Sequence, residues 1–158
     1  MSAHTENQIV IGAPLQLVWE VANDIERWPD LFVDEYARAE VLEREGHRVR
    51  FRLTTVPAED GTVHSWVSER HLDPERGVVT ARRIEPGPFR YVHIFQAFTA
   101  VEGGTRVRWV QDFEAAPWAP FTDAQARERI DAHTKVNLER HRQVIEALAA
   151  RAAAAARG

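Results

Sequence analysis

The sequence predicts an α+β fold in which a curved antiparallel sheet of seven strands wraps around one long C-terminal helix. Apolar and polar residues alternate from residue 36 to about 115, a pattern typical of half-buried strands. Turn signals rich in Gly, Asp and Pro interrupt this alternation, as in a meander. From about Thr122 or Asp123 the chain contains no Pro or Gly until Gly158, which indicates a single long helix. We expect this helix to cover the concave face of the sheet, with an interior cavity where the contact is loose.

The elements follow one another along a single domain that we expect to span residues 1–158. Residues 6–12 are predicted as the first strand, and two short helices follow it. The first helix has Pro14 near its first turn, whereas the second is capped at Asn23-Asp24 and ends near Trp28-Pro29. Six further strands come next, with turns at 45–46, 59–61, 73–77 and 102–104. The core is predicted over about residues 4–148, and residues 149–158 form an Ala-rich tail.

The composition of the chain excludes several classes of function. The chain has 158 residues, a formal net charge of -4, a pI of about 6.0 and no cysteine. Disulfides, thiolate nucleophiles and Cys-based metal sites are therefore excluded, and the acidic balance argues against a nucleic-acid partner. We find no basic leader and no stretch of roughly 20 apolar residues, so we expect a cytoplasmic protein without a membrane partner.

Several common catalytic motifs are also missing. The seven histidines do not fall at metal-ligand spacing, and we find neither a G-x-G-x-x-G motif nor a P-loop, so we expect no metal and no cofactor. No G-x-S-x-G elbow surrounds Ser2, Ser65 or Ser68, which argues against a serine hydrolase. Lys135, the single lysine, lies in a polar helical segment and is a poor candidate for Schiff-base chemistry.

The strand predicted over residues 62–72 carries the most informative charge. Its period of two places Ser68 and Arg70 on the same face as Trp66, together with His64 and Leu72. If Trp66 and Leu72 point inward, Arg70 does too, and a guanidinium on a cavity wall presents fixed donors to carbonyl or enolate oxygens. The alternative is that Arg70 points outward or pairs with a carboxylate in the core.

The final helix and the last strand contribute polar groups to the same interior. One helix face is apolar at both ends but carries Thr134, Asn137 and His141 in its middle, which indicates a wet cavity or a polar ligand. A helix rotated by one position would instead place these groups in solvent. Gln111 alternates with Trp109 on the inner face of its strand and is suited to orient a carbonyl.

Aromatic residues are abundant at positions that we expect to face inward. Most of them are expected to form core, and some to line a pocket for a flat, ring-forming ligand. Tyr36 precedes a strand and could donate or relay a proton if its hydroxyl faces inward; the alternative is a hydrogen bond to backbone. The inward aromatic set is Trp19, Trp28, Phe32, Trp66, Phe89, Tyr91, Phe95, Phe98, Trp109 and Phe113.

Several runs of residues, taken together and in order, resemble a known family. The runs are HTENQIVIGAPLQLVWEVANDIERWPDLF, EYARAEVLEREG, HSWVSERHLDP, EPGPFRYV and EGGTRVRWVQDF. They resemble the single-domain aromatase/cyclases of bacterial type II polyketide synthases, above all those of the tetracenomycin and spore-pigment pathways. The resemblance covers roughly residues 4–147. It implies the helix-grip fold of the START and Bet v 1 superfamily.

The resemblance also implies a reaction and its partners. Members of this family close and aromatise the first ring or rings of a poly-β-ketone, typically through a C9 to C14 bond. The substrate is carried on the phosphopantetheine of an acyl carrier protein, and the other type II synthase components are partners. No further cofactor is implied.

Site residues follow from the same resemblance. The key arginine of the family maps onto Arg70, its pocket tyrosine onto Tyr36 and its helical asparagine onto Asn137. Pocket-wall positions map onto Trp28, Phe32, Phe89, Trp109 and Gln111, and we add Trp66, Gln96 and Thr134 as substrate-binding residues. Two departures affect pocket length and ring register. Gln96 stands where relatives usually carry a large aromatic residue, and Val33-Asp34 adds one residue before Glu35.

These observations lead to a mechanistic hypothesis and two alternatives. Arg70 stabilises the enolate or polarises the attacked carbonyl, while Tyr36, Ser68 or an ordered water moves the proton. The first alternative is a noncatalytic lipid or small-molecule carrier with the same fold, which needs a mainly apolar pocket. The second is a scaffold that only holds synthase components together. Docking of an acidic carrier protein is expected to use exposed arginines such as Arg38, Arg82, Arg83 or Arg90.

Overall fold

The computed structural model describes residues 2–32 and 34–157, so Val33 of the predicted insertion lies outside the described residues. Helical and extended segments alternate only near the N-terminus, after which strands follow one another until the last helix. The elements are β1 (Ala3–Ile11), α1 (Leu15–Ala22), a 3-10 turn (Ile25–Arg27), α2 (Trp28–Leu31), β2 (Tyr36–Glu45), β3 (Arg48–Thr55), β4 (Ser65–Asp73), β5 (Val78–Arg83), β6 (Phe89–Val101), β7 (Gly104–Ala115) and α3 (Asp123–Arg157).

The seven strands form one sheet in the order β1-β7-β6-β5-β4-β3-β2, and every neighbouring pair is antiparallel. Strands β2 to β7 form a meander, because each pairs with the next along the chain. The N-terminal strand returns to pair with β7 at the far edge. The predicted seven-stranded antiparallel sheet with a long C-terminal helix is therefore confirmed.

Three predicted boundaries are wrong. Strand β1 begins at Ala3 rather than at residue 6, and β4 begins at Ser65 rather than at residue 62. The second short helix does not end at Trp28-Pro29, because Pro29 lies in the first turn of α2. Proline is tolerated there, since the amide that it lacks has no partner at the start of a helix.

Helix α3 lies against the concave face and divides the interior into packed core and cavity. Leu138 and Ile145 are fully buried in the main apolar cluster, together with core residues of α1, α2 and the sheet. Closer to the start of the helix, Ala126 packs in a second cluster with Phe113. The polar middle of the helix lies between the two clusters, which positions it over the cavity. Within the described part of the chain no helix is long and apolar enough to cross a membrane.

A glycine is required where β7 begins beside the end of β1. Gly104 has a φ of +145°, and a Cβ built there would lie 2.0 Å from the carbonyl oxygen of Ile11. Any side chain would therefore clash with backbone that cannot move without breaking the edge pairing. The close approach of these two strands sets the edge of the sheet.

The convex face of the sheet carries most of the charged side chains. Tyr91 and Phe95, which we expected inside, lie on this face with His93, because a bulge between Phe89 and Tyr91 shifts the register of β6. Their inward assignment from the sequence is wrong, because Phe95 has the opposite strand parity to the buried Phe98 and the bulge separates Tyr91 from the inward Phe89.

Glu69 also lies on the convex face, yet the residue is only 4% exposed. Arg50 and Arg48 donate to its carboxylate at 3.0 and 3.2 Å, and a ring nitrogen of His71 lies 2.9 Å away. These hydrogen bonds, those from Arg50 and His71 above all, lower the pKa of Glu69 to about 2. The carboxylate is thus covered by the arginines of the neighbouring strand rather than by apolar packing.

Candidate active site

A cavity of about 150 Å³ lies between the concave face of the sheet and the middle of α3. Strands β2 to β7, the short helix α2 and helix α3 all contribute to its wall. All twelve residues that the sequence proposed for the site line this one cavity. They are Trp28, Phe32, Tyr36, Trp66, Ser68, Arg70, Phe89, Gln96, Trp109, Gln111, Thr134 and Asn137. The structure therefore brings the predicted residues together, while their roles stay predictions.

Arg70 projects from β4 into the cavity and is 3% exposed. Its inward direction follows from the strand register that Trp66 and Leu72 set. Its Nη2 atom donates to the side-chain oxygens of Asn23 and Gln96 at 2.7 and 3.0 Å, and its guanidinium lies 5.1 Å from the centroid of the Trp28 ring. Burial lowers the pKa of Arg70 to about 10, so the group remains a cation at neutral pH.

The hydrogen bonds of Arg70 leave its charge without an anionic partner. Among the described residues no carboxylate lies within ion-pair distance of the guanidinium, and the buried Nε atom has no hydrogen-bond partner. Because only neutral amide oxygens accept hydrogen bonds from this buried cation, no anion neutralises its charge, and the charge can act on a ligand in the cavity. This arrangement suits an oxygen atom that gains negative charge.

The polar residues predicted on α3 and β7 meet across the cavity. Gln111 donates from Nε2 to the hydroxyl of Thr134 at 2.6 Å, which satisfies part of the amide. Asn137 lines the wall and donates from Nδ2 to Glu35 at 2.7 Å. The predicted helix phase is correct for Thr134 and Asn137.

His141, in contrast, does not line the cavity. Its Nδ1 atom donates to the backbone oxygen of Asn137 at 2.7 Å, and its ring packs edge-on against Phe32 and Trp109. Burial lowers the pKa of His141 to about 4, so the ring is neutral. The expectation that His141 faces a wet cavity is wrong, because this side chain finds its partner within its own helix.

Glu35 is a cavity residue that the sequence prediction missed. Asp34 adopts a positive φ of +50°, and the chain then enters β2 at Tyr36. Both Glu35 and Tyr36 line the cavity although they are adjacent, since Glu35 precedes the strand and is not bound by its alternation. Burial raises the pKa of Glu35 above its usual value of 4.5, and the hydrogen bond from Asn137 partly opposes this.

Tyr36 lies beside Glu35 with its ring 5.0 Å from that of Phe32. Burial first, and then the Glu35 charge, raise the pKa of its hydroxyl well above 10. Tyr36 therefore keeps its proton at neutral pH and can act only as a hydrogen-bond donor or as a relay. The pair places a carboxyl group and a phenol on the same wall as Ser68 and Arg70.

Arg83 corrects one expectation about the surface. We placed it among exposed arginines that could dock a carrier protein, but its side chain lines the cavity, with the guanidinium 4.0 Å from the Trp66 ring centroid. Its strand explains the direction, since Val79 is 1% exposed and Arg83 lies four residues further on, with the same strand parity. Arg38, Arg82 and Arg90 are exposed, as expected.

The wall of the cavity is cationic although the chain as a whole is acidic. Three arginine side chains line it, those of Arg70, Arg83 and Arg129, together with His133, whereas the side chain of Arg82 points to Glu69 on the convex face. Of the residues described, Glu35 is the sole carboxylate in this lining, and no lysine belongs to it. No group of three or more His, Asp or Glu residues in the described ranges is placed to hold a metal ion.

Comparison with solved structures defines the class of fold. The aromatase/cyclase Zhui from Streptomyces sp. R1128 superposes with a TM-score of 0.77 at 26% identity, covering 96% of this chain and 95% of that chain. Ara h 8.0201 gives a TM-score of 0.73 at 14% identity over 92% of this chain and 98% of that chain, which shows the fold alone. The chain thus has the helix-grip fold of START and Bet v 1 proteins.

Comparison with sequences narrows this class. The family model for polyketide cyclase/dehydrase and lipid transport matches residues 2–151. A Streptomyces cyaneus protein with the provisional name polyketide cyclase is 49% identical over 146 residues, which cover 92% of this chain and 95% of that protein. The actinorhodin polyketide synthase bifunctional cyclase/dehydratase of Streptomyces coelicolor is 31% identical over 139 residues, 85% of this chain and 42% of that protein.

This chain belongs to the polyketide cyclase/dehydrase and lipid transport family. The resemblance to aromatase/cyclases that the sequence motifs suggested is confirmed, and so is the assignment to enzymes of the cyclase/dehydratase class. The details of ring, carrier and residue roles require a separate argument from the cavity.

Proposed function

We propose that the chain closes and aromatises the first ring of a poly-β-ketone presented on the phosphopantetheine of an acyl carrier protein, with a C9 to C14 bond as the ring register. The observation that carries this proposal is Arg70, a buried cation that lines the cavity and has only neutral hydrogen-bond partners. The C9 to C14 register rests on the family resemblance. We place the reaction in the cytoplasm, together with the other type II synthase components.

The size of the cavity supports closure of one ring at a time. A protein cavity of about 150 Å³ accepts a molecule the size of benzene. The wall therefore fits the six carbons that become a ring, and the rest of a long polyketone must remain near the cavity mouth. Holding one methylene beside one carbonyl makes ring closure nearly unimolecular, which can contribute roughly 7 to 11 kcal/mol to lowering the barrier.

The reaction balances without an oxidant or reductant. A base removes a proton from a methylene between two ketones, and the resulting enolate carbon forms a bond with a carbonyl carbon. The carbonyl oxygen becomes an alkoxide, takes a proton and later leaves as water, and enolisation completes the aromatic ring. Because no electrons are gained or lost overall, the proposed reaction needs no redox cofactor.

Arg70 acts on the oxygen in this proposal. The charge of its guanidinium on the cavity wall stabilises the alkoxide or enolate oxygen as negative charge develops. Asn23 and Gln96 hold Nη2 and so orient the guanidinium before the substrate arrives. Gln96 thus serves as a positioning residue, which gives a physical use to the polar side chain at a position where relatives usually carry an aromatic residue.

Glu35 is the group that we assign as the proton acceptor. Tyr36 and Ser68 were candidates from the sequence, but the raised pKa of Tyr36 keeps its hydroxyl protonated at neutral pH, so it is not the initial base. Burial raises the pKa of the Glu35 carboxyl above its usual value of 4.5, which suits a group that accepts and returns a proton. Tyr36 and Ser68, on the same wall, are left to donate to the departing hydroxyl.

The noncatalytic carrier is the weaker alternative. A lipid carrier needs a mainly apolar pocket, whereas three arginine side chains, Glu35 and several amides converge on this cavity. Burying these groups costs free energy, and they would contribute nothing to the binding of an apolar ligand. Aromatic and aliphatic residues make up most of the wall, and the charged and amide groups set among them favour catalysis on an oxygen-rich substrate.

The test is reconstitution with a minimal polyketide synthase of known chain length, with and without this protein. We expect the protein to convert a mixture of spontaneously cyclised products into one dominant product with an aromatic first ring joined at C9 and C14. A product distribution that does not change on adding the folded protein would refute the proposal. Gln111→Leu, a cavity variant, separates catalysis from scaffolding, because a scaffold would remain fully active.

A further inference from the structure

The cationic lining is concentrated at the open end of the cavity. Arg129 and His133 are exposed on α3 and belong to the cavity wall, whereas the exposed Arg82 directs its side chain to Glu69 on the convex face. Arg70 lies apart from them at the closed end, where it contacts Asn23 and Trp28. A protein with a net charge of -4 therefore presents an excess of positive charge at the mouth of its cavity.

Arg83 is the most unusual member of this group. Its guanidinium lies 4.0 Å from the ring centroid of Trp66 and 5.3 Å from that of Phe89, so its faces are covered by aromatic rings. Among residues 2–32 and 34–157 no ion pair to Arg83 forms, and the Glu35 carboxylate of the same lining interacts with it electrostatically from a longer distance. Stacking orients the planar group and leaves its edge, which carries the N–H donors, for an anion.

Arg129, on α3, lies near the aromatic rings that Arg83 contacts. Its guanidinium lies 5.0 Å from the Phe121 ring centroid, and Phe121 packs at 5.3 Å against Phe89, the ring that Arg83 also approaches. The two arginines therefore flank one pair of aromatic rings, one from the sheet side and one from the helix side. Aromatic contacts on both sides position two sets of donors around the opening.

We infer that Arg83 and Arg129 form an anion subsite at the cavity mouth that binds the phosphate of the pantetheine arm carrying the substrate. This inference rests on the proposed function, since it needs a carrier-bound chain. If the ring-forming carbons occupy the cavity, the arm passes through the mouth, and phosphate is the charged group on that arm. Guanidinium forks match phosphate oxygens in geometry and form charge-assisted hydrogen bonds with them.

Binding of the arm alone tests this subsite without relying on turnover. The probes are 4'-phosphopantetheine, pantetheine (the same molecule without phosphate) and inorganic phosphate, each titrated into the full chain by calorimetry. We expect the wild type to bind phosphopantetheine about tenfold more tightly than pantetheine, with a preference that weakens at high salt. Arg129→Gln, on the helix surface, should lose most of that preference, and Arg83→Gln, with folding checked by circular dichroism, should too.

Arg106→Gln is the matched control, because it removes one exposed charge from the sheet away from the cavity lining. It should keep the wild-type preference. Equal binding of phosphopantetheine and pantetheine by the wild type would overturn the inference, as would an unchanged preference in Arg129→Gln. Inorganic phosphate that binds as tightly as phosphopantetheine would also overturn it, by showing a general anion site.

The reconstitution experiment keeps the two proposals separable. Correct cyclisation without a phosphate preference would leave the proposed function standing and reject the subsite. A phosphate preference that Arg129→Gln abolishes, in a protein that does not alter the products, would support the subsite and reject the ring-forming role.

Discussion

Replacing Arg70 by methionine separates what this residue does for catalysis from what it does for stability. Its pKa of about 10, against an ordinary 12.5, means that burial disfavours the cation by about 3 kcal/mol. Two hydrogen bonds, to Asn23 and Gln96, offset this, each by about 1.5 to 3 kcal/mol. Methionine removes both effects and leaves two amide oxygens unpaired. We therefore expect the free energy of unfolding to fall by no more than about 3 kcal/mol.

The effect on catalysis should be much larger. Loss of one donor to a developing oxyanion typically lowers the rate by about a hundredfold to a thousandfold. The methionine side chain keeps the bulk of the stem, so the cavity changes little in shape. The variant should therefore remain folded and give the product mixture that forms without the enzyme.

Two measurements check this prediction. Urea unfolding at pH 7 gives the stability, and reconstitution with the minimal synthase gives the product distribution, with Arg106→Met as the control for loss of one exposed charge. Because the folded pKa of Arg70 lies below the unfolded value, the folded state binds fewer protons between pH 10 and 12.5, so wild-type stability should gain from rising pH there. Wild-type products from a folded Arg70→Met protein would refute the assigned role.

Three further predictions concern other groups. Because burial raises the pKa of Glu35, kcat/KM should rise with pH through an apparent pKa above 4.5. Glu35→Gln should abolish this pH-dependent rise. Asn137→Leu should move the rise to higher pH, because the hydrogen bond from Asn137 lowers the pKa of Glu35. Glu69→Gln should lower the free energy of unfolding in urea by about 1 to 3 kcal/mol at pH 7 and by nothing below about pH 2. A carboxyl group with a lowered pKa stabilises the fold fully above pH 4.5, and this stabilisation disappears as the pH falls towards 2. Gly104→Ala should lower the free energy of unfolding by more than about 3 kcal/mol. Gly46→Ala is the control, because Gly46 also has a positive φ (+57°) but has open space around it, and it should lower that free energy by only about 1 to 2 kcal/mol. Equal losses in the two variants would contradict the clash with Ile11.

The fold and most of the site could be predicted because alternation and helical spacing are local properties of the chain. Trp66 and Leu72 set the direction of β4, which placed Arg70 in the interior. The same logic placed Thr134 and Asn137 on the inner face of α3. Each prediction depended on apolar neighbours whose burial decides the register.

The sequence analysis missed two cavity residues. One lies just before a strand, where alternation does not apply, and the other was assigned to the surface because of its charge. Glu35 precedes β2, so strand alternation does not govern it, and the turn at Asp34 directs the chain. Arg83 follows the inward parity of Val79, but we judged it by its charge and placed it on the surface. Glu69 shows the converse, since a correctly outward side chain is buried by arginines from the neighbouring strand.

The choice of arginine throughout the cavity wall has a chemical consequence beyond binding. A polyketone is rich in electrophilic carbonyls, and a primary amine held beside them would condense to an imine. Guanidinium groups carry the same charge but stay protonated and do not attack ketones at neutral pH. Lys135, 65% exposed, is held by Asp131 on the outer side of the helix at 3.0 Å. Guanidinium groups in the lining can therefore bind a polyketone, the proposed substrate, without forming an imine with it.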